Sequence, residues 1–256
     1  ALRTQKVNIT EDGILQGPAI YANPSMYFFP DVGRAEGIEV LKGAAAIGTG
    51  PRTTSGAINI ISRSIPTSPK GYYNVTFGDE RYNKQHIHYG GTFGPISYVA
   101  EFSDIGYDGH KDLENANGDE TGFRKSSDLI KIRYSLPNSY LELSSQNTTE
   151  VSHESYVGLT RADFAANPYK RYAASAADKM NNDYHRYILT YNYEMSPTTT
   201  FIGKLYKTKY SRQWDKVGTI NANQGDGAGS AVKAISFDDI DWSTDCAANA
   251  HSGYEA

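Results

Sequence analysis

The sequence predicts a mainly β protein whose strands form an antiparallel, membrane-spanning β-barrel that is incomplete in this chain. Three observations carry this. Seven stretches between about residues 71 and 211 alternate apolar and polar side chains at strand length. The links joining them are tight at alternate ends and mostly long and polar at the others. Tyrosine occurs 20 times, against 9 Phe and 2 Trp, in a chain only 39% apolar, which suits strands that are polar on one face.

The strand-like stretches are GYYNVTFG, YNKQHIHYGGTFG, ISYVAEFSDIGY, DLIKIRYSL, SYLELSSQNTT, YHRYILTYNYEM and TTTFIGKLYKTKYS. In the fourth, Ile130, Ile132, Tyr134 and Leu136 share one face while Lys131 and Arg133 take the other. In the third, Ile96, Tyr98, Ala100 and Phe102 alternate with Ser97, Glu101 and Ser103. In the sixth, Tyr187, Leu189, Tyr191 and Tyr193 form an apolar face. The seventh alternates poorly, and its faces cannot be assigned from the residues. Gly94-Pro95, Leu136-Pro137-Asn138 and Met195-Ser196-Pro197 read as tight turns. The links near 107–125 and 150–183, and everything after 211, are long, and GDER at 78–81 is the one short member of that set.

Such segregation of loop lengths fits an up-and-down barrel with one rim toward a confined compartment. A seven-stranded soluble sandwich is the alternative. Seven strands close neither a large barrel nor one of even strand number, so more wall is expected outside this chain. Within the long link, Thr160 reads as an N-cap with Asp163 three residues on, and Pro168 closes that short helix. The run SAADKMN at 175–181 is expected to add a further helical turn.

Composition excludes several functions. A net charge of −4 gives no nucleic-acid signature. Cys246 is the only cysteine, which rules out an internal disulfide framework or thiolate cluster. No apolar run approaches the ~20 residues of a membrane helix, which leaves strands as the spanning element. The start lacks a signal-peptide pattern and the finish lacks an element to dock, so the chain reads as an internal fragment.

The glycine-rich stretch GIEVLKGAAAIGTGPRTTSGAINIISR at 37–63 lacks the lysine and following helix of a phosphate loop. Its glycines read as turns between short packed elements. His86 and His88 share a strand face, but no third ligand accompanies them, and a polar wall accounts for both. No nucleophile elbow or calcium-loop spacing is present, so nothing supports an enzyme, a metal site or a cofactor. Arg212 falls just past the seventh stretch, at the long-loop rim, where a guanidinium can hold a carboxylate through two hydrogen bonds.

Ile38-Glu39-Val40-Leu41-Lys42-Gly43, then Ser55-Gly56-Ala57-Ile58-Asn59-Ile60-Ile61-Ser62, with Asp12-Gly13-Ile14 upstream, resembles the end of the plug domain in TonB-dependent outer-membrane receptors. Gly50-Pro51-Arg52-Thr53-Thr54-Ser55-Gly56, Ser62-Arg63-Ser64-Ile65-Pro66 and Gly158-Leu159-Thr160-Arg161-Ala162-Asp163-Phe164 are similar to the ferric-citrate (diferric dicitrate) subgroup. So is the apex-like segment with Pro18, Tyr21 and Pro24. The resemblance implies a mixed α/β plug, its C-terminal part at 1–66, inside a barrel whose first seven or so strands and extracellular loops occupy 67–256. It further implies a bacterial outer-membrane location, lipid around the barrel, and energisation by TonB with its inner-membrane complex. The cargo would be a ferric chelate, ferric citrate or another siderophore, captured without covalent chemistry. By position in the family pattern, Asn23 on the plug apex and Arg212 on the rim would contact ligand, with Gln16 and Tyr21 beside Asn23. The acidic links leave room for another cargo, such as cobalamin or a sugar, on the same architecture. A secreted soluble β-rich binding protein is the reading from a different class.

Overall fold

A computed structural model describes residues 7–16, 28–50, 53, 55–114 and 121–217, together with the strand backbone at 219–223, 232–236 and 254–255. The chain begins with β1 (Val7–Glu11) and β2 (Ile14–Leu15), joined by Asp12-Gly13. Both turn residues have positive φ, 54° and 78°. An Asp-Gly pair is favoured there because a two-residue hairpin needs left-handed backbone at both positions. A 3-10 turn at Val32–Arg34 follows, capped by the Asp31 carboxylate on Gly33 N–H. Next come β3 (Gly37–Leu41), a 3-10 segment at Gly43–Thr49, and β4 (Gly56–Ile61).

These strands form one small sheet in the order β2-β1-β4-β3, with β1 and β4 parallel and the other pairs antiparallel. Asn59 ties three of them together. Its Oδ1 accepts from Thr10 Oγ1 (2.8 Å) and Gly13 N–H (3.0 Å), and its Nδ2 donates to Glu39 Oε2 (2.8 Å). At Gly56, with φ 124°, a side chain is both strained and without room: a Cβ would meet the Leu41 carbonyl oxygen at 2.6 Å. The glycine-rich stretch is thus two strands and a 3-10 link, as its residues indicate.

The second body is a seven-stranded antiparallel sheet. It opens with β5 (Lys70–Phe77), β6 (Asn83–Phe93) and β7 (Ile96–Tyr107), followed by the two-residue β8 (Asp112–Leu113). It continues with β9 (Phe123–Leu136) and β10 (Ser139–Ser152). Helix α1 (Arg161–Ala166) and β11 (Lys170–Arg171) lie in the link before β12 (Lys179–Ser196) and β13 (Thr199–Asp215). Sequence neighbours pair throughout, in the order β13-β12-β10-β9-β7-β6-β5, as an up-and-down wall requires. A separate three-stranded sheet of β14 (Thr219–Asn223), β15 (Val232–Ser236) and β16 (Tyr254–Glu255) has β14 in the middle.

All seven predicted strands form, but several are longer than the alternation indicates. β9 starts at Phe123, β10 runs to Ser152, β12 starts at Lys179, and β13 reaches Asp215. Helix α1 has its predicted cap: Thr160 Oγ1 accepts from Asp163 N–H at 3.1 Å, and the helix ends before Pro168. The expected turn at 175–181 differs. A 3-10 turn occupies Ala173–Ser175, and β12 begins at Lys179, where Met180 pairs with Trp214 of β13.

The alternation resolves into two contrasting faces. Inward positions are polar and buried, among them His86, Glu101, Lys131, Gln146, Asn182 and Arg186. Outward positions are large, apolar and exposed: Ile87, Phe102, Ile132, Leu143 and Leu189 are examples. The short-turn end carries a ring of outward aromatics, Phe93, Tyr134, Tyr193 and Phe201. An apolar outer band with an aromatic girdle and a polar interior is the pattern of a membrane-spanning barrel wall. No helix among the described residues is long and apolar enough to cross a membrane. β13, whose faces the alternation leaves open, is now assigned. Lys204 and Tyr210 contact inner partners, whereas Leu205, Lys207 and Lys209 alternate with them on the outer face.

Candidate functional site

The small sheet is fastened to the inner face of the wall by a chain of alternating charges. Starting from the wall, His86 Nε2 lies 2.8 Å from Glu101 Oε1. Glu101 also meets two cations from the first body, Arg34 Nη1 and Arg63 Nε, each at 3.4 Å. Arg34 reaches Glu11 at 4.0 Å, and Arg186 of the wall closes on the same carboxylate at 3.2 Å. Arg186 Nη1 also donates to the Glu11 carbonyl (3.0 Å), and its Nη2 lies 3.7 Å from Asp12. Lys131 ends the chain, 3.7 Å from the Asp12 carboxylate.

Glu11, Arg34, Glu101 and Arg186 are all at most 3% exposed, so each charge depends on its neighbours for compensation. Burial pushes the Asp12 carboxyl upward, but Lys131, the Ser62 hydroxyl and N–H, and Arg186 outweigh it and hold it below the usual range. Three further bonds join the bodies. Ser103 Oγ donates to Asp31 (2.9 Å), Lys125 Nζ to the Phe29 carbonyl (3.0 Å), and Lys204 Nζ to the Asp12 carbonyl (2.7 Å).

Above this chain, toward the long links, the interface turns aromatic. Phe28 is 2% exposed and stacks on Tyr184 of β12, with centroids 3.9 Å apart and planes at 10°. Tyr210 of β13, the cross-strand neighbour of Tyr184, tilts toward Phe28 at 6.2 Å and donates to Asn182 Oδ1 at 2.8 Å. Two and four residues further along the same inward face of β13 stand Arg212 and Trp214. Tyr156, from the link between β10 and β12, meets Trp214 edge-on, with centroids 4.8 Å apart. Lys216 Nζ sits over both rings, at 3.6 Å and 4.5 Å, and the Arg212 guanidinium lies 5.6 Å from Trp214.

Carboxylates line the same rim. Glu150 pairs with Lys125 at 3.3 Å. Burial, then the nearby Glu150, raises the Glu154 carboxyl against the opposing pull of Arg212. The link carrying Tyr156 is itself braced. Arg171 donates to Ser175 Oγ (2.9 Å), to the Ser175 carbonyl (2.7 Å) and to the His153 carbonyl. Asp178 accepts from Ser155 Oγ (2.6 Å) and from Val217 N–H (2.8 Å), fixing both ends of the rim segment.

The residues expected to bind ligand therefore fall in three places. Arg212 faces inward at the rim, but it is three residues inside the strand rather than beyond its end, because β13 continues to Asp215. Asn23 and Tyr21 lie outside the described residues. Gln16 is 2% exposed between the bodies. The hydrogen-bond network orients its amide so that nitrogen donates to Tyr184 Oη (3.1 Å) and oxygen accepts from Arg186 Nη1 (3.1 Å) and Glu11 N–H (3.2 Å). Sequence reasoning missed Trp214, Tyr156, Lys216 and Phe28; only the period-two step from Arg212 to Trp214 could have signalled one of them.

On the short-turn side a polar cleft of about 390 Å³ lies between the Asp12-Gly13 turn and the wall, lined by Asn59, Lys131, Glu142 and Lys204 among others. His86 is engaged by Glu101. Among the described residues, no group of three His, Cys, Asp or Glu side chains is arranged to hold a metal ion.

A four-stranded sheet locked against the inner face of an apolar-backed β wall can be compared with solved structures. The unliganded ferric citrate transporter FecA superposes with a TM-score of 0.67 at 18% identity, over 85% of this chain and 33% of that one. The fold is that of the iron receptors. The ferric-catecholate import receptor Fiu of E. coli K12, in its open form, gives 0.64 at 14% identity, over 83% and 32%. The ferric yersiniabactin uptake receptor FyuA of Yersinia pestis gives 0.62 at 17%, over 83% and 33%. This chain thus spans about a third of the length of the receptors it resembles. No protein-family model matches the chain, and neither does any curated protein sequence.

Proposed function

We propose that the chain is part of a TonB-dependent outer-membrane receptor that imports a ferric chelate. The observation that carries this reading is the buried charge chain from His86 to Lys131, which seats a small sheet within a wall whose outer face is apolar. An enzyme has no need of a stopper inside a membrane-facing sheet, whereas a gated importer does. On this reading residues 1–66 are the C-terminal part of the plug, and 67–256 the first part of the barrel with its extracellular links. Energised TonB acts on the plug from the short-turn side, and no bond in the cargo is made or broken.

The cargo binds on the long-link side, between the plug apex carrying Asn23 and Tyr21 and the rim carrying Arg212. Trp214 lies beside Arg212 and carries Tyr156 on its edge, and Gln16 holds the base of the apex to Tyr184 and Arg186. The Gly158–Phe164 motif and the fold of the ferric citrate transporter favour ferric citrate as the chelate. Glu150 and Glu154 beside the rim favour a second reading, a less anionic ferric chelate on the same site.

Uptake of radiolabelled iron by a receptor-deficient strain carrying the full-length gene tests both. Ferric citrate uptake that needs TonB is expected, and Arg212→Ala should raise the half-saturating concentration about tenfold, the scale of a lost charged hydrogen bond. Rescue by a different ferric chelate alone would overturn citrate. Rescue by cobalamin or a sugar alone, or a full-length product that stays soluble away from membranes, would overturn the iron-receptor reading.

A further inference from the structure

The cleft on the short-turn side carries donors that the lock between the two bodies does not use. The central strands β9, β10 and β12 bring Lys131, Ser144 and Thr190 to its lining. All three are at most 8% exposed. Among the described residues neither hydroxyl has a hydrogen-bond partner. Lys131 Nζ has none either: the one carboxylate within 4.0 Å of it, Asp12, stands at 3.7 Å.

Two carboxylates share the lining, and each has other partners. Asp12 accepts from the Ser62 hydroxyl (2.5 Å) and N–H (3.0 Å) and lies 3.7 Å from Arg186. Glu142 Oε2 accepts from Arg133 Nε (2.9 Å) and Nη2 (2.6 Å), and that guanidinium lies over Tyr140 at 4.2 Å. Glu36 and Glu39, the next acids, stand outside the lining and accept from Ser64 N–H (2.7 Å) and Asn59 Nδ2 (2.8 Å). Lys204 of β13 uses one N–H on the Asp12 carbonyl, a neutral acceptor, at 2.7 Å. An ammonium has three N–H donors, so both lysines enter the cleft with donors to offer.

We propose that this cleft is a binding site for a small polycarboxylate anion, with one carboxylate on Lys131, Ser144 and Thr190 and a second on Lys204. The proposal rests on the receptor reading above, under which a cargo leaves by the short-turn side. Two ammonium groups on different strands favour a ligand with more than one carboxylate, and the hydroxyls donate to oxygen lone pairs that one lysine leaves free. Lys131 is already withdrawn from water, so a hydrogen-bonded anion compensates a desolvation the fold has incurred without it. A cleft of about 390 Å³ has the capacity of a small-molecule pocket. The same chemistry is offered by a free polycarboxylate and by one that still carries iron.

The test uses the full-length protein carrying Arg212→Ala, purified in detergent, and equilibrium dialysis with radiolabelled citrate as the probe. Arg212→Ala removes the rim guanidinium, so retained citrate reports the cleft. Saturable binding is expected, with a dissociation constant raised about tenfold by Thr190→Val and by Lys131→Gln, the scale of a lost hydrogen bond to a charged group. A denaturant melt with a probe on the small sheet reads whether each variant keeps that sheet seated. Thr190→Val touches no partner in the lock and keeps the test decisive if Lys131→Gln loosens it. Ferric citrate as competitor separates the sources: displacement assigns the site to the departing chelate, and no displacement to the free anion. Absence of saturable binding, acetate bound as tightly as citrate, or unchanged affinity in both variants would each overturn the proposal. TonB-dependent iron uptake is read separately, and its failure with citrate binding intact would sink the iron-receptor reading and leave the site standing.

Discussion

Alternate residues of one strand, β12, show the two environments this wall separates. Tyr184, Arg186 and Ile188 face the small sheet and are at most 4% exposed, while Tyr187, Leu189 and Tyr191 face away and are 38–47% exposed. The inner set includes a buried guanidinium, and the outer set includes none. A water-soluble protein places apolar side chains inside and charge outside. Here a buried guanidinium is inside, paired with Glu11 and Asp12 of the second body, and the apolar surface is left for a nonaqueous surrounding. The difference teaches that the interior is held by ion pairing and the exterior by the membrane, so the two faces should fail by different routes.

Three substitutions break or sharpen that contrast, in order of expected effect. Arg186→Ala leaves Glu11 buried without its nearest cation and Asp12 with Lys131 alone, and should cost about 3–5 kcal/mol. Denaturant melts of the full-length protein in detergent, with a probe on the small sheet, read this as early release of that sheet. Ile132→Arg places a charge in the middle of the outer band, at a cost of about 2–4 kcal/mol. It should lower insertion and folding into vesicles while leaving the inner lock intact.

The smallest effect is acid sensitivity. The Asp12 carboxyl, with its usual value of 3.8, is lowered in the folded state. Its contribution is therefore complete above about pH 4 and is lost as pH falls through the depressed value. Asp12→Asn should remove that part of the acid dependence below about pH 4, measured by the same probe. Unchanged acid profiles in both proteins would show that the carboxylate does not hold the sheet.

The comparison also explains what could be read from the residues alone. The faces of β9 were legible because Ile130, Ile132, Tyr134 and Leu136 contrast with Lys131 and Arg133. The beginning of the same strand was not, since Arg124, Ser126 and Asp128 face outward beyond the apolar band, and polar residues alternating with polar residues give no period. β13 hid its faces for a related reason: Lys204 and Tyr206 on one side meet Leu205 and Lys207 on the other, so hydropathy does not separate them. Thr160 and Asp163 were legible because a helix cap is local. The charge chain was not, because Glu11, Arg34, Glu101 and Arg186 come from four distant stretches, and each alone reads as a solvated polar position. At the rim, Arg212 was found by position in a family pattern, while Tyr156 and Lys216 meet Trp214 only through the bracing of Arg171 and Asp178.

The parallel pairing of β1 with β4 has a mechanical consequence. Val7 lies beside Gly56 and Glu11 beside Ile60, so the two strands run the same way from the same end. A load entering ahead of Val7 and resisted beyond Ile61, where the chain passes to the wall, acts on opposite ends of the pair. The backbone hydrogen bonds then share the tension in shear, all at once, instead of parting one by one like a zipper. The anchored half of the small sheet is thereby built to resist a pull that would peel an antiparallel hairpin apart.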